Sequence, residues 1–434
     1  MDASFASLEA SVRNGATLLD AFRAFSLFAA KIRCGHTYLN PYNQSDAVRA
    51  ALVDAPHLPF HFRWLRGRMI VTESLAPEAH IAPGTEITAV DGTRAADILA
   101  RLLPVARADG ANDAKRIANL ERRGLDRFEA FDVAYTLFFA HSAGSFVLDV
   151  VDPDGVARRV SVSDSPPMGG QRAGEKGQRD ESAPLWSLQF LDGHTGYLAM
   201  PTWVTYDTKW DWKGDLRRAF TELDARRATS LIVDLRGNEG GTDVGDLLVG
   251  HYLDAPLHVD GLERWTRYRR VPDDLRANLQ TWDKSFFDWG DAAIPRGDGF
   301  FRLTRYDDAP GGDVLAPLAP RATSKLIVLV DSANSSATFQ FAEVVKRHHL
   351  GTLVGEPTGG NQRGINGGAF FFLHLPKSGL EIDLPLIGRF PADGDTERLP
   401  DSGLTPDWLV ETSAADIAAG RDPVLSRARR LADE

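Results

Sequence analysis

Apolar residues in the first thirty positions recur at three- and four-residue steps: Phe5, Leu8 and Val12, then Leu18, Leu19, Phe22, Phe25 and Phe28. This spacing gathers them on one helical face and predicts a small helical cap, ended at the Gly35 break. From residue 58 the period changes. HFRWLRGRMIVTES alternates on both sides of a Gly67 turn, and IAPGTEITAVDGTRAADILARLL reads as turn, strand, Asp-Gly turn and helix. Residues 112–142 return to a helical pattern, and SFVLDVVDPDGVARRVSVS at 145–163 is a hairpin around Asp-Pro-Asp-Gly.

Residues 164–185 are dominated by Pro, Gly and charge, which predicts a linker and the main domain boundary. Beyond it, HTGYLAMP, SLIVDLRGNEGG and KLIVLVDSANSSA each open on a short apolar run, the mark of a buried strand. Two of the runs end in an Asp and a turn before a helical segment, the usual layout of an α/β active site. Residues 255–320, rich in Asp, Arg, Trp, Pro and Gly, interrupt this core as an insertion able to cover a site.

Composition narrows the function classes. The 434 residues are 43% hydrophobic and 25% charged, enough apolar material for two or three folded units. The formal charge is -11 and no block of Lys or Arg forms a basic face, so nucleic acid is not an expected partner. No apolar run is long enough to span a membrane. The start MDASFASLEASV lacks a basic region followed by an apolar stretch, so the compartment stays open between cytoplasmic and, after removal of a leader, periplasmic or secreted. The single cysteine, Cys34, forms no internal disulfide, and HExxH, Walker, Rossmann and GxSxG patterns are absent. Neither a metal nor a cofactor is expected.

Three segments carry candidate chemistry. DSANSSA places Ser335 and Ser336 between a strand and a helix, where free backbone N–H groups favour a developing oxyanion. Taken alone, such a serine reads first as a helix cap, since serine is among the preferred cap residues. DLRGNEGG brings glycines that let backbone approach a ligand, and CGHT brings His36.

In chain order, GHT, PGTEITAVDG, DLRGNEGG, VDSANSSA, LVGEPTGG and SGLTPDWLV together resemble the C-terminal-processing (tail-specific) serine protease family. The likeness is nearer the branch of the tricorn core protease and the interphotoreceptor retinoid-binding protein modules. It implies an α/β core of the crotonase and Clp-protease kind at 186–434. A PDZ-like domain carrying a helical insertion would occupy 58–163, and the helical cap with its His motif 1–57. It further implies a serine peptidase that cleaves peptides or protein C-terminal segments through an acyl-enzyme. Ser336 would be the nucleophile, with an oxyanion hole from Ala337 and the Gly240–Gly241 turn. The Ser–Lys branch places its lysine where this chain has Asn361, which cannot act as a base. His36 takes that role by the tricorn-like placement, oriented by Glu397 in preference to Asp401. An inactive ligand-binding relative and an esterase-type hydrolase remain as alternatives.

Overall fold

The structure, a computed structural model, describes residues 2–13, 16–53, 56–125, 128–139, 144–164, 181–206, 208–259, 261–307 and 314–434. It begins with α1 (Asp2–Val12), α2 (Leu18–Ala30) and α3 (Asp46–Val53). Thr17 and Asp20 cap α2 reciprocally, which satisfies two of its free amides. Phe22, Val48 and Leu52 from this cap pack with Val133, Leu137 and Leu380 from later elements.

Next come β1 (Phe60–Leu65), β2 (Arg68–Ser74), β3 (Glu86–Val90), β4 (Thr93–Arg94), α4 (Ala95–Leu102), α5 (Asp113–Asn119), α6 (Ala130–Phe138), β5 (Ser145–Val151) and β6 (Ala157–Ser163). The strands form an antiparallel sheet in the order β1-β2-β3-β5-β6, with β4 on β3. Leu65 pairs with Arg68 across a two-residue turn in which Arg66 and Gly67 both have positive φ, the primed turn that suits strand twist. The helical pattern over 112–142 resolves into two helices, not one, and 140–142 lie outside the described residues. The break has a physical cause. Arg122 leaves the helical path, exchanges backbone hydrogen bonds with Phe62, and buries its guanidinium against Asp132 at 2.9 Å.

Of the linker expected at 164–185, residues 165–180 lie outside the described residues. The chain then builds β7 (Ser187–Phe190), β8 (Thr195–Ala199), α7 (Trp212–Ala225), β9 (Ser230–Asp234) and α8 (Val244–Gly250). The insertion follows with β10 (Leu257–His258), β11 (Leu262–Thr266), α9 (Asp273–Arg276), β12 (Leu279–Gln280), β13 (Ala293–Gly297), β14 (Phe300–Leu303) and β15 (Val314–Leu315). The remainder is β16 (Lys325–Val330), α10 (Ser336–Arg347), β17 (Thr352–Gly355), β18 (Ile365–His374), β19 (Glu381–Pro391), β20 (Trp408–Leu409), α11 (Ala414–Ala418) and α12 (Pro423–Asp433).

The central sheet runs β20-β17-β16-β9-β8-β7 and is parallel except for β7. Its middle strands are apolar on both faces because both are covered. Leu231, Val233, Val328 and Val330 pack with Phe220, Leu248 and Phe341; Ile232, Ile327 and Leu329 pack with Val424, Ala428 and Leu431 of α12. Each such side chain contributes about 1.5–3 kcal/mol by burial. A charge at Leu329, fully buried, would break this layer.

Within the insertion, β11, β12, β13 and β14 are not a separate cover. They join the long hairpin β18–β19 in one antiparallel sheet, β12-β18-β19-β11-β14-β13. β19 also anchors the loop after α2: Asp383 bridges Tyr38 and accepts from Asn40 (2.9 Å) and Asn43 (2.9 Å).

Candidate active site

β16 ends at Val330, and five residues lead to α10 at the carboxyl edge of the parallel sheet. Polar side chains tie this loop down. Asp331 accepts from Ala333 N (2.9 Å), Gly237 N (3.0 Å) and Arg123 Nη1 (2.8 Å). Asn334, fully buried, accepts from Asp331 N at 2.8 Å and donates to Leu235 O (2.5 Å) and Asn238 O (3.0 Å). The loop 331–335 is thereby stitched to the loop 235–241 that follows β9.

Ser335 holds the cap position of α10, but its hydroxyl makes no capping bond; it donates to Glu239 O at 3.2 Å. Ser336 opens the helix, partly exposed, with φ at 50°. That left-handed conformation costs a non-glycine residue about 1–2 kcal/mol. The residues on either side are held: Thr338 Oγ1 lies 2.8 Å from Ser335 O and 3.0 Å from Asn238 O. Among the described residues nothing is hydrogen-bonded to Ser336 Oγ.

The glycine loop lies against this serine. Gly240 has φ of 104°, and a Cβ there would stand 2.9 Å from Ala337 N and 3.0 Å from Ser336 Cβ. Only glycine fits. Its own N–H donates to Asn238 Oδ1 at 2.9 Å, so within the Gly240–Gly241 turn this amide is already engaged. The Gly241 and Ala337 N–H groups have no acceptor among the described residues. One unspent donor therefore opens α10, and the other comes one residue after Gly240.

His36 reaches this region from the loop after α2. Gly35 N donates to Asp109 Oδ1 (2.8 Å) and Gly35 O accepts from Arg107 Nη1 (2.7 Å), which fixes the segment on both sides. The imidazole lies beside Gly367 and Phe370 of β18, with ring centroids 5.8 Å apart in the latter case. Burial is the main cause that brings its pKa down to about 4, aided by Arg107 and Lys115 and opposed by Glu239. The ring is therefore neutral near pH 7. Its Nδ1 is buried without a hydrogen-bond partner, and no hydrogen bond joins it to Ser336 among the described residues.

Glu239 links the two. Its backbone carbonyl receives Ser335, while its carboxylate meets Lys115 Nζ at 2.6 Å and Arg107 Nη2 at 3.2 Å. Burial alone would raise this carboxyl; the two cations overcome that and hold it at about 2. The charge of Glu239 favours the protonated form of His36. Glu397 is 82% exposed and pairs with Arg363 at 3.2 Å; Asp401 accepts from Asn361 (2.7 Å) and Ala111 N (2.9 Å). Neither carboxylate bonds to His36 in this structure, because Arg363 and Asn361 hold them.

Residues 194–410 match the sequence profile of peptidase family S41. The chain belongs to peptidase family S41. That makes it a serine peptidase by family. No curated protein matches it in sequence. Among solved structures it is similar to mature CPAF complexed with lactacystin, with a TM-score of 0.65, 17% identity, and coverage of 99% of this chain and 91% of that one. Mature CPAF by itself gives 0.63 at 17% identity over 99% and 90% of the two chains. The photosystem II D1 C-terminal processing protease gives 0.42 at 14% identity over 93% and 85%. The CPAF likeness extends the shared fold over nearly the whole chain.

Within the S41 peptidase, Asn361 is a structural residue. Its amide donates to Asp109 O (3.1 Å) and Asp401 Oδ1 (2.7 Å), and its carbonyl accepts from Arg363 N (2.8 Å). Three charged side chains at the site were not foreseen from the sequence: Glu239, Lys115 and Arg107. Glu239 had a signal, since it sits inside DLRGNEGG. Lys115 and Arg107 had none, because an isolated charge in a helical stretch or a loop reads as solvent-facing.

Proposed function

We propose that this peptidase works through Ser336 as nucleophile and His36 as general base, cleaving peptides or protein C-terminal segments by way of an acyl-enzyme. The neutral imidazole takes the Ser336 proton as Oγ attacks the scissile carbonyl carbon, and the carbonyl oxygen becomes an oxyanion. The Gly241 and Ala337 N–H groups receive that charge. Collapse expels the amine, which takes the proton from His36; water then attacks the ester by the same route and frees Ser336. Glu239 takes the place proposed from sequence for Glu397, as the carboxylate acting on the imidazolium that forms. The organisation we propose around this site is a crotonase- and Clp-protease-like core at 186–434, with a PDZ-like domain at 58–163 and a helical cap at 1–57.

The observation that carries the reading is the left-handed φ of Ser336 at the start of α10, against a glycine that leaves no room for any other residue. A cap serine needs no such strain; a presented nucleophile accounts for it. The test is labelling of the full chain with a fluorophosphonate. Labelling of the parent, lost in both Ser336→Ala and His36→Ala, is the expected result. A folded parent that does not label would overturn the reading in favour of a ligand-binding member of the family.

A further inference from the structure

Lys115 belongs to α5, distant in sequence from Ser336, yet its ammonium lies between the two loops of the site. Nζ donates to Glu239 Oε1 at 2.6 Å and to Ala333 O at 2.9 Å. The first partner immediately precedes Gly240 and the second lies three residues before Ser336. The side chain is 2% exposed, so little water competes for these bonds. Burial lowers the lysine pKa and Arg107 adds to that, while Glu239 supports the charged form.

Neighbouring contacts orient this lysine. Asn112, which caps α5, donates to Thr358 O (3.0 Å) and Gly360 O (2.7 Å) and so seats the helix on the core. Arg107 takes the second carboxylate oxygen of Glu239 and also the carbonyl of Gly35, next to His36. One carboxylate thus stands between the lysine of the loop bridge and the arginine that holds the histidine loop.

We propose that Lys115 is a positioning residue of the peptidase: it holds the glycine loop, the nucleophile loop and the charge balance at His36 in one register. The proposal rests on the roles of Ser336 and His36 given above. Without the ammonium, loops 235–241 and 331–335 lose a bridge, and the Gly241 and Ala337 donors lose their fixed spacing. Acylation then slows more than substrate binding weakens, because those donors act chiefly in the transition state.

The same charge bears on the protonation of His36, after burial, Arg107 and Glu239. The charged groups facing the ring are Arg107, Glu239 and Lys115. Cys34, on the histidine's own loop, has its thiol pKa raised by burial and by Asp109, and β18 presents the backbone of Asn366 and the ring of Phe370. Lys115→Met removes a cation and leaves Glu239 beside the imidazole, so the His36 midpoint rises. Glu239→Gln removes the anion and leaves two cations, so it falls. A lysine that only fills space gives no such pair of opposite signs.

The experiment compares the full-chain parent with Lys115→Met, Lys115→Arg and Glu239→Gln. It follows the His36 ring proton by NMR, assigned with His36→Asn, and the fluorophosphonate labelling rate across pH. Lys115→Met is expected to raise the midpoint and to slow labelling about tenfold or more; Lys115→Arg keeps the midpoint near the parent's, and Glu239→Gln lowers it. A folded Lys115→Met with the parent's midpoint and rate would overturn the proposal, as would shifts of the same sign in both neutral variants. Should Lys115→Met fail to fold, Glu239→Gln decides, and a midpoint that stays or rises overturns it. The ring titrates whether or not Ser336 reacts, so a parent that does not label speaks against the nucleophile while the midpoints still judge Lys115.

Discussion

Gly240 stands so close to Ser336 that a β-carbon at position 240 would lie 3.0 Å from the serine's own Cβ. The other near atoms are backbone, Ala337 N and Ser335 O at 2.9 Å, which cannot rotate away. Gly240→Ala therefore forces the glycine loop off the nucleophile loop. It should abolish fluorophosphonate labelling and lower stability by about 1–3 kcal/mol, from strain at a φ of 104°. Urea denaturation alongside labelling checks both, and an alanine variant that labels at the parent's rate would contradict this geometry.

The adjacent serines should separate cleanly. Ser335→Ala loses one hydrogen bond to Glu239 O, worth about 1 kcal/mol, and should slow labelling by less than about tenfold. Ser336→Ala should remove labelling and leave the melting temperature near the parent's. Mass spectrometry of the labelled peptide identifies the modified serine directly.

His36 ties both activity and stability to pH. Its folded pKa lies at about 4, below the ordinary 6.5, so the base remains neutral well into the acid range. The His36 limb of the rate profile should therefore fall near pH 4. Stability follows from the same difference. The unfolded chain takes up this proton as pH falls through 6.5, while the folded one resists until about 4. The group thus withdraws stability progressively across that window, by roughly 3 kcal/mol at its lower end. His36→Asn should flatten this part of the stability profile, measured by denaturant titration from pH 7 to 4.

The two carboxylates before the SGLTPDWLV segment should behave differently from each other and from Glu239. Glu397 is largely exposed, and its pairing with Arg363 is worth about 0–1 kcal/mol, so Glu397→Gln should leave labelling and melting temperature nearly unchanged. Asp401→Asn replaces a carboxylate that accepts from Ala111 N and Asn361, and should cost about 1–3 kcal/mol by mispairing Asn361. A large loss of labelling in Glu397→Gln would restore it as the acid that orients His36.

Legibility from the sequence follows the range of the interactions involved. The cap helices, the Gly67 hairpin, the Asp-Pro-Asp-Gly hairpin and the buried strands β9 and β16 declare themselves through period and turn chemistry, which are local. The break between α5 and α6 does not. There the partners of Arg122, Phe62 and Asp132, come from a different strand and a different helix. The insertion at 255–320 reads as an interruption because its strands are short, and the sheet they complete is closed only by β12 on β18 and β11 on β19, from much later in the chain.

The candidate site divides along the same line. The sequence by itself determined the serine after a buried strand, the glycine turn after another, a histidine near the start, and the family those motifs share. Each is a matter of a few consecutive residues obeying local backbone rules. Only the tertiary structure decided that the Gly240 N–H is spent on Asn238, that the Asn361 amide is held by Asp109 and Asp401, and that the Glu239 carboxylate meets Lys115 and Arg107. It alone placed Lys115 against a carboxylate 124 residues away. The reason is physical: a charge's partner depends on which loops converge when the layers close, and burial then makes the nearest opposite charge decisive.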